Sequence, residues 1–200
     1  MLEFNESTHT YTLNGVIVPS VTSVLSILGG YEGIPLQTLQ RAAERGTAVH
    51  KATELSDLGT LDYSGLDDEV LGYLMGWHKF LDDKKPEIVT VEKQVFHPSL
   101  LYAGTFDREL VLDGHLSILD IKSSAKLMPA TAPQTAAYAE AVNSHRKNKA
   151  DQVKRRYGLR LTADGNYELK QYKDPSDMNV FLSCLIVFRW VETHNQAKRK

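Results

Sequence analysis

Tyr102-Ala103-Gly104-Thr105-Phe106-Asp107-Arg108-Glu109-Leu110-Val111-Leu112-Asp113-Gly114-His115-Leu116-Ser117-Ile118-Leu119-Asp120-Ile121-Lys122 decides how this chain is read. Asp113-Gly114 is a two-residue hairpin signal, because the tight turn between twisted strands needs two residues that tolerate positive φ. Its flanks, Leu101 to Leu112 and Leu116 to Lys122, read as strands. Folding at that turn runs them back past each other and brings Asp107 and Asp120 to neighbouring places on one sheet. Side chains alternate along a strand, so Asp120 and Lys122 share a face. Two carboxylates and an ammonium at a strand end suit phosphodiester cleavage. The acids hold a divalent metal, the Ile121 carbonyl between them adds a hard oxygen, and the lysine steers or polarises water.

Outward from this hairpin the signals are local. Ile88 to Phe96 reads as a preceding strand, after Pro86. Before it, Asp67 to Lys84 sets Val70, Leu74, Trp77 and Leu81 at helical spacing. Gly59 to Gly65 is a linker. Leu36 to Leu58 is a longer helical region, with Leu36, Leu39, Ala43, Val49, Ala52 and Leu55 facing inward. Gly46 is a candidate interruption there, and Thr47 a candidate cap for a fresh turn. Two short strands, Tyr11 to Leu13 and Val16 to Val18, flank Asn14-Gly15; Ser20 then caps a helix from Val21 to Leu28, which Gly29-Gly30 ends. Downstream, a helix near Pro129 and Pro133 carries Gln134 and Tyr138. Strands follow at Val153 to Leu161 and Tyr167 to Tyr172, then a helix from Pro175 to Thr193.

This order predicts an α/β domain with a single mixed central β-sheet flanked by helices. One domain spans 1–200: an N-terminal hairpin and helices (1–60), an acidic helical segment that is a candidate lid (61–86), and the sheet with C-terminal helices (87–200). Two hundred residues bury one good core and are short for two. No apolar run approaches the roughly 20 residues of a membrane span. Met1 to Thr12 lacks the basic-then-apolar pattern of a secretory signal. Cys184 is the one cysteine, which excludes an internal disulfide and a thiolate-held iron–sulfur cluster built from this chain alone; its apolar helical setting reads as a buried core thiol. The expectation is a cytoplasmic protein with no membrane partner.

The net charge of −2 conceals segregation. From Glu54 to Asp83 the chain is acidic; from His145 to Arg160 seven Lys or Arg stand against Asp151 alone. Such a stretch, including Arg155 and Arg156, holds phosphate or is merely solvated, and the sequence balances the two. His50 follows Gly46-Thr47, and neutral imidazole ligates metals. Glu54, one turn on, shares its helix face. Gln134 and Tyr138 share a face too, as an amide and a phenol for substrate phosphates, for bases or for the rim of the site.

Gly46-Thr47-x-x-His50, Gly104-Thr105-Phe106-Asp107, Asp120-Ile121-Lys122 and Gln134-x-x-x-Tyr138, in this order, resemble the PD-(D/E)XK nuclease superfamily, and within it the RecB-like exonuclease branch. Tyr11 to Leu13, Gly15, Pro19-Ser20-Val21-Thr22-Ser23-Val24-Leu25, Gly165-x-Tyr167, Phe181 and Trp190 are similar to small phage exonucleases and mitochondrial genome maintenance exonucleases. The resemblance implies a restriction-endonuclease-like core. It implies that His50, Asp107, Asp120 and the Ile121 carbonyl bind Mg²⁺ or Mn²⁺, and that Lys122 activates water. It implies Gln134 and Tyr138 at DNA or the site, and an acid on the preceding strand at Glu92. Two departures stand out. Asp120 is a shorter arm than glutamate, and Ser123-Ser124 replaces the usual Thr-Gly, leaving Ser123 as a substrate contact. The four-cysteine cluster of some relatives is absent.

The expected activity is therefore a metal-dependent DNA exonuclease favouring single strands or free ends, in replication, recombination or repair, working in the host cytoplasm if phage-encoded. Its rivals are a flap or junction endonuclease of the same fold and a non-catalytic DNA-binding module. The sequence names no protein partner.

Overall fold

Asp113 and Gly114 take φ of 50° and 72°, the pair of left-handed residues that the hairpin turn requires. The turn pairs Leu112 with His115 and continues antiparallel to Arg108 with Leu119. In this computed structural model, which describes residues 1–30 and 32–197, the elements in chain order are β1 (Leu2–Asn5), β2 (Thr10–Leu13), β3 (Val16–Val18), α1 (Val21–Leu25), α2 (Leu36–Asp57), α3 (Asp68–Lys84), β4 (Glu87–His97), β5 (Tyr102–Leu112), β6 (His115–Lys122), α4 (Thr131–Ser144), β7 (Arg155–Leu161), β8 (Tyr167–Tyr172) and α5 (Asp177–Ala197).

The central sheet has the order β4-β5-β6-β7-β8. β4, β5 and β6 run antiparallel, β7 joins β6 in parallel through α4, and β8 returns antiparallel. A parallel neighbour needs a crossover, which α4 supplies. The sheet is mixed and flanked by helices, as expected. A second, three-stranded sheet, β1-β2-β3, adds to it. β1 is absent from the sequence reading, because Leu2–Asn5 carries little β-branched or aromatic signal beyond Phe4. The small sheet joins the central domain at a parallel bridge between Ser20 and Ala103.

Two apolar layers cover the central sheet. On one face Tyr102, Phe106 and Ile118 meet Val21, Val24, Ala137, Ala141, Phe181 and Leu185 of α1, α4 and α5. Small residues along α4 let that helix lie close to the strands. On the other face Leu110, Leu119, Ile121, Leu159 and Leu161 meet Val49, Leu74, Trp77 and Phe80 of α2 and α3. Each such large buried side chain contributes roughly 1.5–3 kcal/mol.

Helix boundaries follow local chemistry. Ser20 accepts a hydrogen bond from the Ser23 N–H at 3.0 Å and caps α1 as expected. Asp67 caps α3 by accepting from the Glu69 N–H, and Lys85 (φ 45°) closes it in the left-handed region just before Pro86. α2 is unbroken across Gly46, and the Thr47 hydroxyl bonds back to the Ala43 carbonyl instead of capping a new turn. One glycine does not end a helix that packing sustains on either side. Only the second half of α2 enters the core: Val49 and Ala52 are buried, while Leu36 is 79 % exposed. The first half projects past the sheet.

Within 61–86, read as a candidate lid, the inner face of α3 packs into the core, while Tyr63 ahead of it is 56 % exposed. Trp77 and Phe80 are fully buried, and α3 sits tight on the β7–β8 turn. A Cβ on Gly72 would stand 2.0 Å from the Ala163 carbonyl oxygen, and one on Gly76 2.6 Å from that of Asn166. Backbone cannot yield there, so Gly72→Ala is expected to destabilise the protein by about 1–3 kcal/mol or more, as overpacking does. Chemical denaturation checks this; an unchanged midpoint would contradict the packing. Among the described residues no helix is long and apolar enough to cross a membrane.

Candidate metal centre

Asp107 occupies a break in the strand pattern. Tyr102 and Phe106 face α1, α4 and α5, whereas Arg108, Leu110 and Leu112 turn towards α2 and α3. Side-chain alternation therefore reverses at Asp107. Opposite it on β4, Glu92 has φ of 44°, an uncommon conformation for a non-glycine residue and one that often marks a working site. Beyond Arg108–Leu119 the ladder to β6 changes character. The Ile121 N–H donates to Asp107 Oδ2 at 2.5 Å, so a side chain replaces the usual carbonyl acceptor. The hairpin thus joins Asp107 to the Asp120-Ile121-Lys122 segment directly.

α2 brings His50 to this break. Its Nδ1 lies 3.4 Å from Asp107 Oδ1 and 3.7 Å from Glu92 Oε1. His50, Glu92 and Asp107 each offer a ligand atom, all within 4.8 Å of one another. Burial alone would strip the proton from His50, but the adjacent Asp107 and Glu92 carboxylates more than offset it and raise its pKa to about 10. Burial works against ionised Asp107 as well; His50, Lys122 and the Ile121 N–H prevail and hold it below the usual carboxylate range.

Asp120 is 1 % exposed. Lys122 Nζ sits 2.7 Å from its Oδ2, while Oδ1 has no hydrogen-bond partner among the described residues. Burial pushes the Asp120 carboxyl up, with Lys122 opposing and Asp107 adding to the rise. A buried anion with one unpartnered oxygen beside a histidine and two further carboxylates is a donor set that fits a hard divalent cation. Asp120 stands outside the tight trio, on the Lys122 side.

His50, Glu92, Asp107 and Lys122 line a cleft of about 470 Å³ between α2, the β5–β6 end of the sheet and the small N-terminal sheet, with Asp120 buried behind Lys122. Gln134 and Tyr138 line it from α4, as expected from their shared face. The Tyr138 ring rests on Gly104, where a Cβ would approach it to 2.7 Å. Glu54 reaches the rim but is paired with Lys51 at 2.9 Å. Ser123 lies in a neighbouring cleft with Leu39, Ala42, His50 and Lys122. The Ile121 side chain turns away into the α2–α3 layer.

Arg155 and Arg156 are not brought to the cleft. Arg156 is engaged with Asp177, the Asp174 and Ala132 carbonyls and Thr135; Arg155 lies 3.6 Å from Asp113. Arg146 and Arg160 pair with Glu109 and Glu168. The arginines of the basic stretch are thus engaged with acids of the fold itself. Conversely, the sequence reading misses the wall formed by His9, Tyr11 and Thr105. Tyr11 OH lies 2.8 Å from Thr105 Oγ1. Thr105 stands two residues before Asp107, a spacing that would have flagged it as a neighbour on the strand.

No protein-family model and no curated protein matches the sequence. Among solved structures the chain is similar to an alkaline exonuclease, LHK-Exo, from Laribacter hongkongensis. One structure of that enzyme has 13 % identity over 88 % of this chain and 80 % of the other, with a TM-score of 0.48. LHK-Exo in complex with dAMP has 10 % identity over 91 % and 90 %, with a TM-score of 0.51. At such identity the likeness is one of fold: the central mixed sheet and its flanking helices are an arrangement that a nuclease also uses.

Proposed function

We propose that the protein is a metal-dependent DNA exonuclease of the RecB-like branch of the PD-(D/E)XK superfamily, acting on single strands or free ends in replication, recombination or repair. The observation that carries this reading is the convergence of His50, Glu92, Asp107 and the Lys122 ammonium at one cleft, with the buried Asp120 behind Lys122. The sharing of a fold with LHK-Exo, an alkaline exonuclease whose structure holds dAMP, agrees with it.

His50, Glu92, Asp107 and Asp120 would hold Mg²⁺ or Mn²⁺. That ion, when bound, polarises a phosphate oxygen and lowers the pKa of a water. Lys122, half exposed at the cleft, hydrogen-bonds and orients the attacking water and stabilises the charge that develops on phosphate. Asp120 keeps the ammonium aimed. Gln134, Tyr138 and Thr105 offer neutral hydrogen-bonding groups to the sugar-phosphate chain, and the exposed His9 ring stands at the rim, where an unpaired base can stack on it.

Digestion of 5′- and 3′-labelled single- and double-stranded DNA with Mg²⁺, with EDTA as control, tests the reading. Mononucleotides or short oligonucleotides released only with Mg²⁺ are expected. Circular single-stranded DNA should survive; its cleavage would favour a structure-specific endonuclease. DNA binding with no cleavage under any metal would favour a non-catalytic module.

A further inference from the structure

Arg108 has no exposed surface, although it follows Asp107 directly. Its Nε donates to Asp57 Oδ2 at 2.6 Å, and Nη2 donates to Thr53 Oγ1 at 3.1 Å. Nη1 donates both to Glu92 Oε1 at 3.1 Å and to the Asp107 carbonyl at 2.7 Å. The guanidinium also lies over Trp77, 5.3 Å from the ring centre, and the Trp77 indole N–H donates to the other oxygen of Asp57. One cation thus bridges α2, α3, β4 and β5.

The three residues of the tight trio all hang on this one group. Glu92 is held by its carboxylate and Asp107 by its carbonyl. His50 is reached through Thr53, whose hydroxyl donates to the His50 carbonyl at 2.9 Å while accepting from Arg108. Burying a guanidinium is costly, and apolar packing often stabilises a core as well as an ion pair does. Stability alone therefore gives little reason for an arginine here. A planar fork with fixed donor directions does something that packing cannot: it sets the spacing and orientation of several acceptors at once.

We propose that Arg108 is the positioning residue of the candidate metal centre, its guanidinium fixing Glu92, the Asp107 backbone and, through Thr53, His50 in mutual register. The inference rests on the metal-centre reading above. Arg108 touches neither substrate nor metal; it acts through the residues that do. Residues that orient metal ligands commonly change affinity about 10–100-fold when replaced.

Two accounts of Arg108 predict opposite results. If it served only as a charge, Arg108→Lys would leave metal affinity unchanged. If it positions ligands, lysine cannot reproduce the fork, and Mn²⁺ affinity should fall about 10–100-fold. Mn²⁺ binding is measured by electron paramagnetic resonance, with thermal melting to establish that the variant is folded and a metal titration of cleavage alongside. Lost cleavage should return as Mn²⁺ is raised, because the ligands themselves remain. Should Arg108→Lys not fold, Thr53→Val decides: it removes the hydroxyl that joins Arg108 Nη2 to the His50 carbonyl and leaves the Glu92, Asp57 and Asp107 bonds of Arg108 in place, and Thr53→Ser should restore native affinity. Native Mn²⁺ affinity in the deciding variant would overturn the positioning role alone. A wild-type protein that binds no Mn²⁺ would overturn the metal-centre reading and this inference together.

Discussion

Asp107→Ala is expected to abolish Mg²⁺-dependent DNA cleavage, and Lys122→Ala to do the same by a different route. Asp107 is 7 % exposed, accepts the Ile121 N–H and faces His50 at 3.4 Å; under the proposed function it also supplies a ligand oxygen. Its loss removes a metal ligand and frees the junction between β5 and β6. Lys122 is not a ligand, so Lys122→Ala should keep Mn²⁺ binding while losing the group that orients the attacking water. Each is worth several kcal/mol of transition-state stabilisation, a fall of about 10³-fold or more in rate. Asp107→Asn separates the parts, since its amide oxygen still accepts from Ile121 while the charge is gone. Cleavage of labelled single-stranded DNA reads all three. Residual activity within tenfold of wild type in Asp107→Ala or Lys122→Ala would refute the site assignment.

The second large effect runs the opposite way. Asp120→Asn is expected to eliminate cleavage and yet to raise the stability of the metal-free protein. The Asp120 carboxylate is buried, its Oδ1 has no hydrogen-bond partner among the described residues, and Asp107 crowds it. Unsatisfied buried groups cost roughly 1–3 kcal/mol, more when charged, and a neutral amide removes most of that cost. Part of the gain is offset by lost attraction to Lys122, which at 28 % exposure can turn to solvent. The sign of the pH dependence follows. A carboxyl whose folded-state pKa is raised destabilises the fold above that pKa and costs nothing once protonated in both states. The advantage of asparagine should therefore be full at neutral pH and shrink as the pH falls through the carboxylate range. Thermal melting in EDTA across pH measures it. A melting point below wild type at neutral pH would show that Asp120 stabilises the fold, and the account of a site held at the expense of stability would fall.

Much of this was legible from residue order. Asp113-Gly114 and Asn14-Gly15 both close hairpins with two left-handed residues, and those turns fix which strands pair. His50 is joined to Asp107 by the resemblance of Gly46-Thr47-x-x-His50 and Gly104-Thr105-Phe106-Asp107 to a nuclease pattern, since no local signal on α2 sets its distance from the hairpin. Glu92 was weaker. It meets Asp107 through a left-handed backbone at a reversal of strand alternation, and period-two reasoning assigns such a residue to the wrong face. Arg108 was silent for the same reason. The placement of the basic stretch's arginines was not legible, because local charge says nothing about partners distant in sequence: Glu109, Glu168 and Asp177 pair with Arg146, Arg160 and Arg156. Residues 61–86 looked detachable because they are acidic, whereas Gly72 and Gly76 let α3 press against backbone that no one-dimensional pattern reveals.

The central claim is that distant residues cage a divalent cation at the end of β6. A crystal soaked in Mn²⁺ and measured for anomalous scattering tests it most directly. The account predicts one or two peaks bonded to Asp107 and to at least two of His50, Glu92 and Asp120, and none in Asp107→Ala. A peak elsewhere on the chain, or no peak in a crystal of protein that is active with Mn²⁺, would contradict it.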